Sequence, residues 1–235
     1  MENAKKKIFL VGESTLVEEW SAFCSSRGWS IEKKINRVGE EIKCPQDILL
    51  CAELTFFDRE QKKKNLFSIR AQHPMCTILS SSVITSATEQ LLWLNKESNL
   101  IGISAFPTFI EKELIELAIP SAILRENIQC VEDFFVLVGK QFSVVQDRVG
   151  MVLPRILCML VNESFFALQE EIATPEAIDT AMKLGTNYPF GPIEWGERVG
   201  YEYVIKTLQA LYDEYGEDRY RIAPLLKQVM LTQKI

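Results

Sequence analysis

Short apolar runs of strand length recur along the first 145 residues, each closed by a turn residue and followed by a stretch of helical periodicity. That alternation is the strongest constraint on the fold, because strands separated by helices pair in parallel as one layer with helices packed on its faces. The run at 8–11 ends at Gly12 and leads into a helix through Leu16, Trp20 and Phe23 that closes at Gly28. A second strand is expected at 29–35. The run at 47–52 is apolar after Asp47, as a strand buried on both faces of a parallel sheet has to be. Further strands are expected at 77–79, 100–106, 114–119 and 143–145, with helices at 60–71, 88–94 and 130–140.

The pattern changes at Gly150. From 151 to 171 the apolar residues fall at helical spacing without interruption, and Pro154 belongs in the first turn of that helix, where its ring meets no carbonyl one turn back. Thr174 and Pro175 then restart a helix, as an N-cap and a proline at the first helical position do. The expected organisation is an α/β domain over 1–146, with a mostly parallel and shortened sheet, followed by an all-α domain over 147–235. With 47% hydrophobic and 25% charged residues in 235, both halves can bury a core.

Composition removes several function classes. A net charge of −6 and a pI near 5.1 leave no electrostatic footprint for nucleic acid, and a solvated helix face accounts for Lys62, Lys63 and Lys64. No apolar run has the length of a membrane span, and residues 1–7 do not read as a leader, so a cytoplasmic protein is expected. Six cysteines stand singly, and no metal site is expected from them. They read as small buried hydrophobes in a reducing compartment. The single histidine, His73, precedes Pro74 in an expected helix-to-strand turn. Its isolation matters chemically, because histidine is the commonest general base near neutral pH.

The C-terminal half carries a set of specific words. They run from Ala173-Thr174-Pro175-Glu176 through Asp179 to Gly185, then Tyr188-Pro189-Phe190-Gly191-Pro192, then Asp218-Arg219-Tyr220-Arg221 through Leu226. Read by turn chemistry alone, the second of these is a turn between two amphipathic helices. Together they resemble the C-terminal domain of the 3-hydroxyacyl-CoA dehydrogenases, with Asp147 and Gly150 matching the family's Asp and Gly ahead of its long helix. With that register, the first half resembles the family's Rossmann-like, nicotinamide-binding domain. The resemblance implies NAD-dependent oxidation of an L-3-hydroxyacyl-CoA, with a histidine base oriented by a glutamate and a serine and an asparagine holding substrate. It also implies acyl-CoA as partner and a homodimer formed through the helical domain.

The residues that would carry this chemistry depart from the family's pattern. A dinucleotide turn needs glycines so that the backbone can approach the pyrophosphate and the helix amides can face it. Gly12 is kept as a cofactor-binding candidate, but Ser14 and Val17 stand at the second and third glycine positions, and Glu13 and Glu18 add negative charge. Ile35 falls where the ribose-binding acid belongs. Only 11 residues, 36–46, join the second strand to the third, too few for the helical segment the family places there. Ser104 stands in place of the family's histidine, and Pro154 in place of its asparagine. The remaining catalytic candidates are Glu116, matching the orienting glutamate, and Ser82, among the hydroxyls of Ser80, Ser81, Ser82 and Thr85. A carboxylate in a polar or solvated strand end and ordinary helix-cap serines are the structural readings of those two features.

No bound cofactor is expected; NAD is implied by the resemblance only. The chain reads as a family member with little or no activity. The alternatives are a non-catalytic acyl-CoA binder, a dimeric scaffold built on the helical half, or residual chemistry using Glu116 as base.

Overall fold

The computed structural model describes residues 7–36, 42–46, 48, 50–96, 98–123 and 125–232, with the side chains of 125–127 left aside. The charged start at 1–6, residues 37–41 of the expected short connection, and Asp47 and Leu49 of the expected third strand lie outside the described residues. The chain divides into two compact units, Met1–Met151 and Val152–Ile235.

The first unit is a seven-stranded sheet with helices between its strands. Its strands are β1 (Lys7–Gly12), β2 (Ser30–Ile35), β3 (Leu50–Leu54), β4 (Thr77–Ser81), β5 (Asn99–Ile103), β6 (Leu114–Ala118) and β7 (Gln141–Val145). Its helices are α1 (Ser14–Ser25), α2 (Arg59–Gln72), α3 (Ala87–Trp93) and α4 (Arg125–Leu137). The strand order is β2-β1-β3-β4-β5-β6-β7, and every neighbouring pair is parallel except β5 with β6. Strands β3 and β4 are buried along their whole length, their apolar residues 50–52 and 78–79 together with the polar Glu53, Ser80 and Ser81. The chain steps from β1 out to β2 and then back across β1 to β3. This reversal opens a crevice above the C-terminal ends of β1 and β3, where ligands of such sheets bind.

Residues Asp147 to Met151 pack with the first unit, so the division falls five residues beyond the expected 146/147 junction. The carboxylate of Asp147 accepts hydrogen bonds from the Ala87 and Thr88 amides at 2.8 and 2.6 Å, filling the orphan donors of the α3 N-terminus. The Gly150 amide donates to the Val83 carbonyl at 2.6 Å.

The second unit comprises α5 (Leu153–Gln169), α6 (Pro175–Thr186), α7 (Pro192–Val199), α8 (Tyr201–Tyr215) and α9 (Pro224–Thr232). Helix α5 is central, packing on α7, α8 and α9 through Leu157, Val161 and Phe165. Pro154 sits in its first turn, as its ring requires. Thr174 caps α6 by accepting from the Ala177 amide at 3.3 Å. No helix among the described residues is long and apolar enough to cross a membrane.

Candidate functional site

Gly12 closes β1 with φ of 149°, and a Cβ there would overlap the backbone at Leu54 and Thr55 on β3. The tight turn of a dinucleotide site is therefore present. Beyond it the surroundings differ. Glu13 is the N-cap of α1 but makes no side-chain cap. Its carboxylate instead turns across the crevice and accepts from the Phe56 and Phe57 amides, both at 3.2 Å. Ser14, the first residue of α1, is exposed, and Val17 is fully buried in the packing of that helix. A negative charge thus already occupies the donors at the switch point, next to a helix end that would otherwise favour an anion.

Behind this turn lies a buried polar network. Glu53 on β3 and Lys62 on α2 are 0% and 2% exposed and form an ion pair. This corrects the reading of Lys62 as part of a solvated face; of the triplet, Lys64 is exposed and Lys63 pairs with Glu60. The physical reason is Glu53, since a carboxylate inside a parallel strand needs a partner. Glu53 also accepts from the Thr55 amide at 3.1 Å and from Asn65 Nδ2 at 3.2 Å. Lys62 further donates to the Thr55 carbonyl at 3.0 Å and to Ser80 Oγ at 3.3 Å. Burial pushes the Lys62 ammonium down from its ordinary range, opposed by the charges of Glu53 and Glu13. Asn36, the first residue after β2, donates to Thr55 Oγ1 at 2.8 Å and accepts from Asn65 Nδ2 at 3.0 Å. The polar groups above β1, β2 and β3 are thus largely satisfied by one another.

The serine run is not a helix cap, which corrects the structural reading of it. Ser80 and Ser81 lie in β4, and the cap of α3 is Ser86, which accepts from the Glu89 amide at 3.2 Å. Ser80 donates to Gln90 Oε1 at 2.5 Å. Ser82 donates to the Ser80 carbonyl at 3.1 Å and accepts from Gln90 Nε2 at 3.1 Å, so its hydroxyl is engaged inside the unit. It also packs so closely on Gly102 that a Cβ there would collide with it.

Ser104 and Glu116 meet across the antiparallel β5–β6 edge. The Glu116 amide donates to Ser104 Oγ at 3.1 Å, and the Ser104 amide donates to the Glu116 carbonyl at 3.2 Å. Glu116 is 5% exposed and sits in the middle of β6, which overturns the solvated alternative and the strand-end placement. Ser81 Oγ donates to the Ala105 carbonyl at 3.3 Å, and the Ser82 amide to the Ile103 carbonyl at 3.0 Å. The structure therefore gathers Ser82 just after β4, Ser104 just after β5 and Glu116 in β6, with Gly12 and Ser14 apart on β1 and α1. His73 ends α2 ahead of the N-terminal end of β4, whereas Ser82 and Ser104 follow the C-terminal ends of β4 and β5. A serine hydroxyl there has no imidazole to activate it.

The segment after Ser104 is tied down by a residue that sequence reasoning missed. The Thr108 amide, in a left-handed turn with φ of 68°, donates to both oxygens of Glu19 at 3.2 and 3.0 Å. Burial raises the Glu19 carboxyl above its usual range, partly offset by that amide.

In the second unit the family-like words are structural. Asp179 on α6 accepts from the Ile193 and Glu194 amides at 2.8 and 3.1 Å, capping α7, and a Cβ on Gly191 would overlap that carboxylate. Asn162, a polar residue inside the apolar stripe of α5, donates to the Arg221 carbonyl and accepts from the Ala223 amide, both at 2.9 Å. A lone amide at a core position was the readable signal, since it has to be hydrogen-bonded.

Comparison with known proteins follows this division. The family model described as the 3-hydroxyacyl-CoA dehydrogenase C-terminal domain matches residues 150–235. The chain is 42% identical over 95 residues to a 3-hydroxyadipyl-CoA dehydrogenase of Escherichia coli K12, covering 40% of this chain and 20% of that protein. It is 29% identical over 179 residues to a 3-hydroxybutyryl-CoA dehydrogenase of Bradyrhizobium diazoefficiens, covering 73% and 59% of the two chains. The chain thus spans less than two thirds of either relative. Its fold is similar to that of the crystal structure of (S)-3-hydroxybutyryl-CoA dehydrogenase from Ralstonia eutropha, with a TM-score of 0.78, 21% identity and coverage of 97% and 94%.

Proposed function

We propose, for a chain that belongs to the 3-hydroxyacyl-CoA dehydrogenase family through its C-terminal domain, that it does not perform the family's NAD-dependent oxidation. The observation that carries this reading is the Glu13 carboxylate, held by the Phe56 and Phe57 amides at the sheet's switch point. A pyrophosphate brought to that place meets a like charge and donors already in use. Ser14 and Val17 replace glycines needed for close approach, and Asn36, beside Ile35, is committed to Asn65 and Thr55. These residues do not fit a dinucleotide.

The catalytic candidates support the same conclusion. Ser104 takes the place of a histidine, and Glu116 has no imidazole beside it to orient. Ser82 is occupied by Gln90 and the Ser80 carbonyl. Fluorescence titration with NADH and a turnover assay on short 3-hydroxyacyl-CoA substrates test the proposal. No NADH saturation in the micromolar range and no NADH formation are expected; micromolar binding with turnover refutes it.

A second reading, a homodimer built on the helical unit, rests on α6. None of its residues is fully buried, and Leu184 on it and Ile172 just before it are 83% and 69% exposed. A second copy packed on α6 would cover both side chains. Sedimentation velocity decides this reading, because a monomer at assay concentration removes it. Calorimetric titration of acyl-CoA esters tests whether the dimer retains a ligand of the family's class.

A further inference from the structure

Scattered singly in sequence, Cys44, Cys51 and Cys76 meet in one apolar cluster of the first unit, with Phe9, Val11, Leu66, Ile69 and Ile78. Cys51 is wholly buried on β3. Cys76 lies in the turn between α2 and β4, its amide bonded to the His73 carbonyl at 3.1 Å and its side chain partly exposed. The two sulfurs are 3.6 Å apart. Cys44 is held nearby, its amide donating to Gln72 Oε1 at 2.9 Å.

The three thiols differ in reactivity. The hydrogen bond with Cys51 draws the Cys76 thiol below its ordinary range, against the effect of burial. That same contact, then burial, raises Cys51. Burial pushes Cys44 up to about 11. The thiolate is the nucleophilic form of cysteine, so the accessible member of the pair is also the reactive one.

We propose that Cys51 and Cys76 form an oxidisable dithiol, in which a hydroperoxide oxidises Cys76 and Cys51 resolves it to an intramolecular disulfide. The Cys76 thiolate attacks one peroxide oxygen, the O–O bond breaks, and the leaving hydroxide or alkoxide takes up a proton. The resulting sulfenic acid is attacked by the Cys51 sulfur. The S–O bond breaks as the S–S bond forms, and the hydroxyl leaves with the Cys51 proton as water. Two thiols lose two electrons and the peroxide gains them. Closing the pair brings the sulfurs from 3.6 Å to about 2 Å. Because β3 pairs Cys51 with Ile78, two positions beyond Cys76, the movement falls on the turn that carries Cys76, outside the strand. The new bond would close a loop over α2, which carries Lys62 and Asn65, and clamp it to β3 and β4. This inference is independent of whether the nucleotide turn binds NAD.

The test treats the full reduced chain with one equivalent of hydrogen peroxide, blocks remaining thiols, and maps peptides by mass spectrometry. The expected product joins the Cys51 and Cys76 peptides, lighter by two hydrogens, with an upward Tm shift of several degrees that dithiothreitol reverses. In Cys51→Ala the bond is lost and dimedone labels Cys76; in Cys76→Ala, Cys51 stays reduced. Circular dichroism shows whether the variants fold, and the wild-type cross-link stands without them. Oxygen added at the exposed neighbour Met75 with both thiols intact overturns the proposal. A dominant Cys44–Cys76 or intermolecular bond, or Cys76 carried to the sulfinic acid without a disulfide, does so equally.

Discussion

Replacing Lys62 by methionine removes the ammonium from a position 2% exposed while keeping most of the side chain's volume, and leaves Glu53, 0% exposed, without its countercharge. Breaking a buried pair from one side costs about 3–5 kcal/mol. Glu53 keeps the Thr55 amide and Asn65 Nδ2, which places the loss near the lower end, ~3 kcal/mol. With a urea m-value of about 2 kcal/mol/M, the unfolding midpoint of the first unit falls by ~1.5 M. Since the chain has two units, the signal has to come from one of them. A Trp195→Phe background leaves Trp20, Trp29 and Trp93, all in the first unit, as the only tryptophans. The variant carrying both Lys62→Met and Glu53→Gln, with no buried charge at this position, should recover about half of the loss. A midpoint shift below ~0.3 M for Lys62→Met, or a double variant no more stable than the single one, refutes the reasoning.

Two further perturbations concern the second unit. Burial pushes the Cys158 thiol up to about 12, opposed by its hydrogen bond with Thr207, whereas an unfolded thiol ionises near ~8.5. Its folded pKa is raised, so its contribution is fully present below ~8.5 and is lost as pH rises through about 12. In a background of Trp20→Phe, Trp29→Phe and Trp93→Phe, which leaves Trp195 as the reporter, the chain with Cys158 should lose about 1.4 kcal/mol more per pH unit than Cys158→Ala in the alkaline range of urea unfolding; parallel slopes refute this. Gly191→Ala should displace the Asp179 carboxylate from the α7 amides and lower stability by about 1–2 kcal/mol. Asp179→Ala removes the same cap, so additive losses in the double variant count against that account.

The sheet and the helical half were legible because periodicity reports burial. Fully apolar runs such as residues 8–11 of β1 declared strands covered on both faces, and the change at Gly150 announced helices packed on helices. Glycine positions were legible too, since Gly12 and Gly191 are set by what a Cβ would strike. The polar interior was not. Lys62, between Gln61 and Lys63, looks like surface until Glu53 is placed opposite it, nine residues away in sequence but one layer away in space. The Glu13 carboxylate signalled repulsion toward a phosphate, but its grip on Phe56 and Phe57 depends on a contact 43 residues distant, which local pattern does not encode. Pairings of this kind are set by strand order, and strand order emerges only once the sheet is assembled.

The cap supplied by Asp147 to α3 has a consequence for how the chain acquires structure as it is made. The helix spans Ala87–Trp93, too short to hold together alone, and its orphan amides wait for a carboxylate 60 residues downstream. At a synthesis rate of about 5–20 residues per second, that carboxylate follows ~3–12 s later. Through that interval Ser86, which accepts from the Glu89 amide, is the only one of the two caps yet made, so α3 becomes a fixed part of the sheet only as the last residues of the first unit arrive.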